Sequence, residues 1–184
     1  ELFVANYIYK GFNKTPCKVG TYEAEDNLRK VFMLSAPLPT GITHIGTVGT
    51  FHRSMMGQPD GEEMFRVELV SSVQERYVNV MRELLSFLCF CLDNQKLYFN
   101  YGEYLTDIFQ DACYKKPKIS LPHIVFCKPE QFGMNLPDLT IEGQKIKFMY
   151  VLPISDEELF FLENKGMQAL EEQLSGNIDP CNLK

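Results

Sequence analysis

The chain has no tryptophan, only three histidines in 184 residues, and no C-x-x-C pair among its six cysteines. Cys17, Cys89, Cys91, Cys113, Cys127 and Cys181 repeat no common spacing. They therefore predict neither a zinc site nor a disulfide framework, and reduced thiols are the expectation. His44, His52 and His123 have no cysteine or carboxylate at ligand spacing, so no metal and no cofactor are read from them. Phosphate loops, dinucleotide fingerprints, nucleophile elbows and H-E-x-x-H motifs are all missing. Basic charge is also short: 18 Lys and Arg against 24 Asp and Glu give a net charge of −6 and a pI near 5.1. That excludes a broad basic face for nucleic-acid phosphates but leaves a basic protein partner open. No stretch approaches the roughly 18 apolar residues of a membrane span. The richest, Tyr77 to Leu92, is interrupted by Asn79, Arg82, Glu83 and Ser86. Glu1 to Asn6 carry no basic n-region and no cleavage-site pattern, so no secretory leader is read there and a cytoplasmic location is expected.

What is present is ordinary for a globular chain: 45% hydrophobic and 23% charged residues, without repeats or low-complexity tracts. One domain spanning 1–184 is expected, with 176–184 as a loose tail. The most informative stretch runs from Lys145 to Leu174. Ile146 to Leu152 reads as a buried strand, and Pro153 is expected to end it because it lacks an N–H for the ladder. Ser155 followed by Glu158 predicts a capping box, with Asp156 and Glu157 complementing the helix dipole. Gly166 predicts a left-handed C-cap, and Met167, Leu170 and Leu174 mark one face of a second helix. Ser175-Gly176-Asn177 should break that helix.

Earlier segments fill in the rest. Residues 2–12 have a helical pattern closed by Gly11. Cys17–Tyr22, Val31–Leu34, Ile42–His52, Phe65–Val70 and His123–Cys127 read as strands. Gly46 and Gly49 inside the third suggest a bulge or a close backbone approach. Phe65, Val67 and Leu69 are predicted to face the core, with a mixed opposite face. Gln74 to Leu92 is the longest helix, its broad stripe of Tyr77, Val80, Met81, Leu84, Leu85, Leu88 and Leu92 suited to packing across a sheet. The fold class expected is α+β, a single mixed sheet of about six strands with helices packed on it.

Candidate binding residues come from aromatic and acidic clusters. Tyr98, Tyr101, Glu103 and Tyr104 surround Gly102, and tyrosine is enriched at binding hot spots. Asp60, Glu62 and Glu63 form an acidic loop suited to steering a basic partner. Phe51, Arg53 and Met55 precede that loop, and Met adapts to irregular surfaces. A Cys–His pair brought together in space, for instance His123 with Cys17 or Cys113, is the enzymatic alternative. Nothing selects one pair, so a non-enzymatic chain without catalytic residues is the expectation.

Two blocks carry a resemblance. The first is the apolar strand ending in Leu152-Pro153-Ile154-Ser155, followed by an acidic helix start, Leu159, Leu162, Gly166 and Leu170. The second is Thr47-Val48-Gly49, a hydrophilic loop, then Arg66-Val67-Glu68-Leu69-Val70. In this order, and over about residues 30–175, they resemble the suppressor-of-fused domain family. The resemblance implies a protein-binding module rather than an enzyme, with Thr47, Gly49, Glu68, Pro153 and Gly166 in structural roles. Lone domains of this size resemble bacterial members read as immunity proteins or antitoxins. It thus implies a cognate toxin, with a basic domain, as protein partner. A peptide-binding adaptor like the animal suppressor of fused is the alternative.

Overall fold

The computed structural model describes residues 1–23, 30–50, 65–93, 100–112 and 120–177. Helix α1 (Leu2–Gly11) precedes strands β1 (Lys18–Glu23), β2 (Lys30–Pro37), β3 (Ile42–Val48) and β4 (Phe65–Gln74). After α2 (Val78–Asp93) come β5 (Tyr104–Leu105), α3 (Ile108–Ala112), β6 (His123–Cys127), β7 (Leu139–Ile141) and β8 (Gln144–Ile154). Helices α4 (Asp156–Lys165) and α5 (Met167–Asn177) follow. The eight strands form one mixed sheet in the order β1-β2-β3-β4-β8-β6-β5, with β7 paired to β8. Among the described residues, only the β4–β8 pairing is parallel. The sheet exceeds the expected six strands by β5 and β7. With two and three residues, these are too short to leave a period-two signal.

Helices cover both faces of the sheet. On one face, Met81, Leu84, Leu85 and Leu88 of α2 pack against Met33, Ile45, Val67, Leu69, Met149 and Val151. On the other, Val4 and Ile8 of α1, Leu162 of α4 and Leu170 of α5 meet Leu34, Val70, Phe148, Tyr150 and Leu152. Each such side chain, fully withdrawn from water, contributes roughly 2 kcal/mol. This two-sided cover corrects the mixed face expected of β4: Arg66 is half-buried, but Glu68 and Val70 lie inside the protein. A parallel pair at the middle of a sheet is normally sealed on both sides.

Gly46 explains how α1 reaches the sheet. A Cβ there would stand 3.0 Å from Ile8 and 3.2 Å from Phe12, so its absence lets the helix lie directly on β3. The reading of a close backbone approach fits; the expected extension of that strand to His52 does not, since β3 ends at Val48 and residues 51–64 lie outside the described ones.

Pro153 does not end β8. It stands opposite Ile124 of β6, and β8 continues to Ile154. The Val151 carbonyl accepts from the Ser71 hydroxyl of β4 at 2.9 Å. Backbone direction repeats every two residues, so Pro153 also turns its backbone toward β4, whose pairing stops at Tyr150. The missing N–H therefore costs no ladder bond.

The capping box is present. Glu158 N–H donates to Ser155 Oγ at 3.2 Å, and Ser155 N–H donates to Glu158 Oε2 at 2.8 Å. Ser155→Ala is expected to lower stability by about 1 kcal/mol and the thermal midpoint by ~3 °C, checked by calorimetry. Gly166 departs from expectation: its φ of 81° is positive, but its ψ of 171° is extended rather than left-handed helical. Helix α5 begins at the next residue, and the extended step re-aims the axis for it. Nor does α5 break at Ser175; it runs to Asn177, since a late glycine costs a helix only about 1 kcal/mol.

Candidate functional site

Residues 100–104 turn at one end of the sheet and extend the β5–β6 pairing. Gly102 N–H donates to the Phe126 carbonyl at 2.8 Å, and Phe126 N–H donates to the Glu103 carbonyl at 2.9 Å. This fixed backbone sends the two tyrosines different ways.

Tyr101 goes inward. Its hydroxyl reaches Asp138 Oδ1 at 3.2 Å and the Phe148 carbonyl at 3.3 Å. On that edge β8 pairs with β7 through Ile146 and with β6 only from Tyr150, so the tyrosine hydroxyl fills a gap in the ladder. The ammonium of Lys147 lies 5.4 Å from the Tyr101 ring centre and also meets Asn100 Oδ1 at 3.3 Å. Burial, then the Asp138 carboxylate, raises the Tyr101 pKa well above the ordinary phenol value. Tyr101 is thus a fixed, neutral strut.

Tyr104 goes outward. It is 37% exposed, and its hydroxyl donates to Glu163 Oε1 of α4 at 2.8 Å. That bond to a carboxylate raises the Tyr104 pKa. Glu103 beside it is exposed. One turn from Glu163 on α4 is Phe160, 67% exposed. The structure thus brings Tyr104 onto Glu163, with Phe160 one helical turn away, a neighbourhood not anticipated from sequence. Its signal was there: Leu159, Phe160, Phe161 and Leu162 are four consecutive apolar residues, more than one helix face can bury. Tyr98, Phe51, Arg53, Met55, Asp60, Glu62 and Glu63 lie outside the described residues.

The two described histidines, His44 and His123, are held by neighbours. His123 is 4% exposed; its Nδ1 accepts the Asp107 amide at 3.1 Å, so its proton sits on Nε2, 2.8 Å from Asp156 Oδ1. Both nitrogens are engaged in tying β6 to α4 and to the turn before α3. His44 Nδ1 lies 2.7 Å from the Ser72 hydroxyl across the β3–β4 pair. Burial lowers its pKa, so the unfolded chain takes up a proton before the folded one does. Stability is therefore expected to fall as pH drops from about 6.5 toward the lower folded pKa, and His44→Gln should flatten urea midpoints across that window. The Cys127 thiol is raised far above its usual value by burial, which makes it inert as a nucleophile. Among the described residues, no group of three His, Cys, Asp or Glu is placed to hold a metal ion, and no helix is long and apolar enough to cross a membrane.

The block from Thr47 to Val70 that carries the family resemblance holds a buried polar cluster. Glu68 is fully buried and accepts from the Thr47 hydroxyl and, at 2.8 Å, from the Gly49 amide. Thr47 Oγ1 in turn accepts the Leu69 amide at 2.9 Å. These three positions serve the fold.

The fold is shared with solved proteins. A crystal structure of the Sufu–Fu complex superposes with a TM-score of 0.62 at 10% identity, covering 95% of this chain and 83% of that one. Drosophila Suppressor of Fused superposes with a TM-score of 0.65 at 9% identity, covering 98% of this chain. The chain spans about half of the Drosophila protein, 48% of its length. At such identities the likeness is one of fold. No curated relative matches in sequence. The family model described as Suppressor of fused protein matches residues 25–184, which takes in every strand from β2 onward and four of the five helices. The chain belongs to the suppressor-of-fused family.

Proposed function

We propose that this chain is a non-enzymatic protein-binding domain. The observation that carries the reading is the exposed surface where Tyr104 bonds Glu163 and Phe160 stands one turn away on the same helix, aromatic and acidic side chains held on rigid elements. The engagement of both His123 nitrogens supports the absence of a general base there. One solved relative is a Sufu–Fu complex, a family member bound to a partner. In its finer form the proposal is a bacterial, cytoplasmic immunity protein or antitoxin that neutralises a cognate toxin by covering its active surface. The net charge of −6 suits a basic partner of this kind.

A second reading, a peptide-binding adaptor, is favoured by β1. It closes one end of the sheet with Val19 66% exposed, and such an edge accepts an added strand through its main chain. A pull-down from native lysate at low and high salt separates the two. One stoichiometric toxin, released by salt, is the result expected of an immunity protein. Several unrelated proteins sharing an extended motif, insensitive to salt, would favour the adaptor. Retention of nothing would sink the protein-binding proposal.

A further inference from the structure

The geometry points to the outer face of α4 as the docking surface, and to an arginine-rich segment of a protein as its occupant. The inference rests on the protein-binding reading and names the chemistry of the partner. Phe160 is 67% exposed, the most exposed aromatic side chain among the described residues, and its helix is held by a complete capping box. A large aromatic ring held out on a rigid helix is the residue type that anchors interfaces.

Charge selects the occupant. Asp156 and Glu157 lie four and three residues before Phe160 and Glu163 three after, which places all three on the exposed side of α4 around the ring. Tyr104 reaches Glu163 from β5, and Glu103 is exposed beside it. The cation of α4, Lys165, stands in its last turn, beyond Glu163. A guanidinium suits this arrangement better than an ammonium. Its flat face stacks on Phe160 while its N–H groups pair with Glu157 or Glu163. Nucleic acid and anionic lipid surfaces would be repelled by the same carboxylates. A second copy of this chain would bring acid against acid. Asp156 is already bonded to His123, and one oxygen of Glu163 to Tyr104, so Glu157 and the second oxygen of Glu163 face the partner's charge.

The test uses the full chain, isotope-labelled, titrated with an arginine–leucine repeat peptide and with its glutamate–leucine counterpart. Amide shifts centred on 103–104 and 156–165 with the arginine peptide alone are the expected result. Phe160→Ala is expected to weaken that peptide about tenfold, as truncation of an anchor does. Glu157→Gln with Glu163→Gln should weaken it about fivefold and reduce its salt dependence. Glu142→Gln, on the exposed β7–β8 turn, should leave it unchanged. Phe160 is exposed, so the variants should keep the native melting curve. Equal binding by Phe160→Ala, or shifts centred elsewhere, would overturn the α4 assignment. If the pull-down still retains a partner with Phe160→Ala, the protein-binding reading survives and the α4 docking falls alone. If the native chain retains no partner, the broader reading falls.

Discussion

Glu68→Ala is expected to lower the stability of this domain by about 3 kcal/mol. Glu68 is carried into the interior by β4, with no exposure to solvent. A carboxylate in that setting persists only because donors converge on it: the Thr47 hydroxyl from β3 and the Gly49 amide just past the end of β3. Deleting it leaves those donors facing an apolar pocket, and the desolvation they suffered on folding is no longer offset. The Thr47 hydroxyl also accepts the Leu69 amide, so the loss spreads into the β3–β4 ladder. For a urea slope of about 2 kcal/mol per molar, the midpoint should fall by ~1.5 M. Glu68→Gln keeps the shape and one acceptor and should lose about half as much. A shift under ~0.5 M for Glu68→Ala would show that the cluster contributes little.

Gly11→Ala should destabilise the protein, reversing the usual sign. In an exposed helix interior, alanine is more favourable than glycine by about 1 kcal/mol. Here a Cβ would stand 2.3 Å from Leu136 Cδ2, 2.5 Å from its Cγ and 3.2 Å from the Asn135 carbonyl. Leu136 is 1% exposed and packed under α1, so it has no open space to move into. The expected cost is about 2 kcal/mol, with the midpoint of thermal unfolding lowered by ~5 °C. Because Tyr7 of the same helix stacks on Phe148 and donates to the Pro137 carbonyl, a shift of α1 would also loosen that contact. Stabilisation by Gly11→Ala would mean that α1 is free to lift at no cost.

These two positions mark where the sequence was legible and where it was not. Ser155 and Glu158 could be paired from their spacing because a cap is a local bond between residues three apart. The stripe on α2 and the apolar runs of β2, β3, β6 and β8 were legible for the same reason, since periodicity is a local property. Glu68 looked like an outward residue of an alternating strand. Only its neighbours 19 and 21 positions away turn it into a buried acceptor. Tyr101 and Tyr104 looked equivalent around Gly102, yet one fills a gap in the β8 ladder and the other meets α4, 59 residues on. Pro153 read as a stop because the side of the strand on which β4 ends is not written in its own segment.

By itself, the sequence determined the class of fold, the places where most helices and strands form, the acidic charge and the family blocks. Those follow from propensity, periodicity and capping, which act over a few residues. The tertiary structure alone decided that β4 and β8 pair in parallel at the centre, that the sheet is sealed on both faces, and that Tyr104 of β5 meets Glu163 of α4. Each of those depends on contacts between segments far apart in the chain. The free energy of such contacts comes from burial and from the matching of donors to acceptors, and neither exists until the chain has closed.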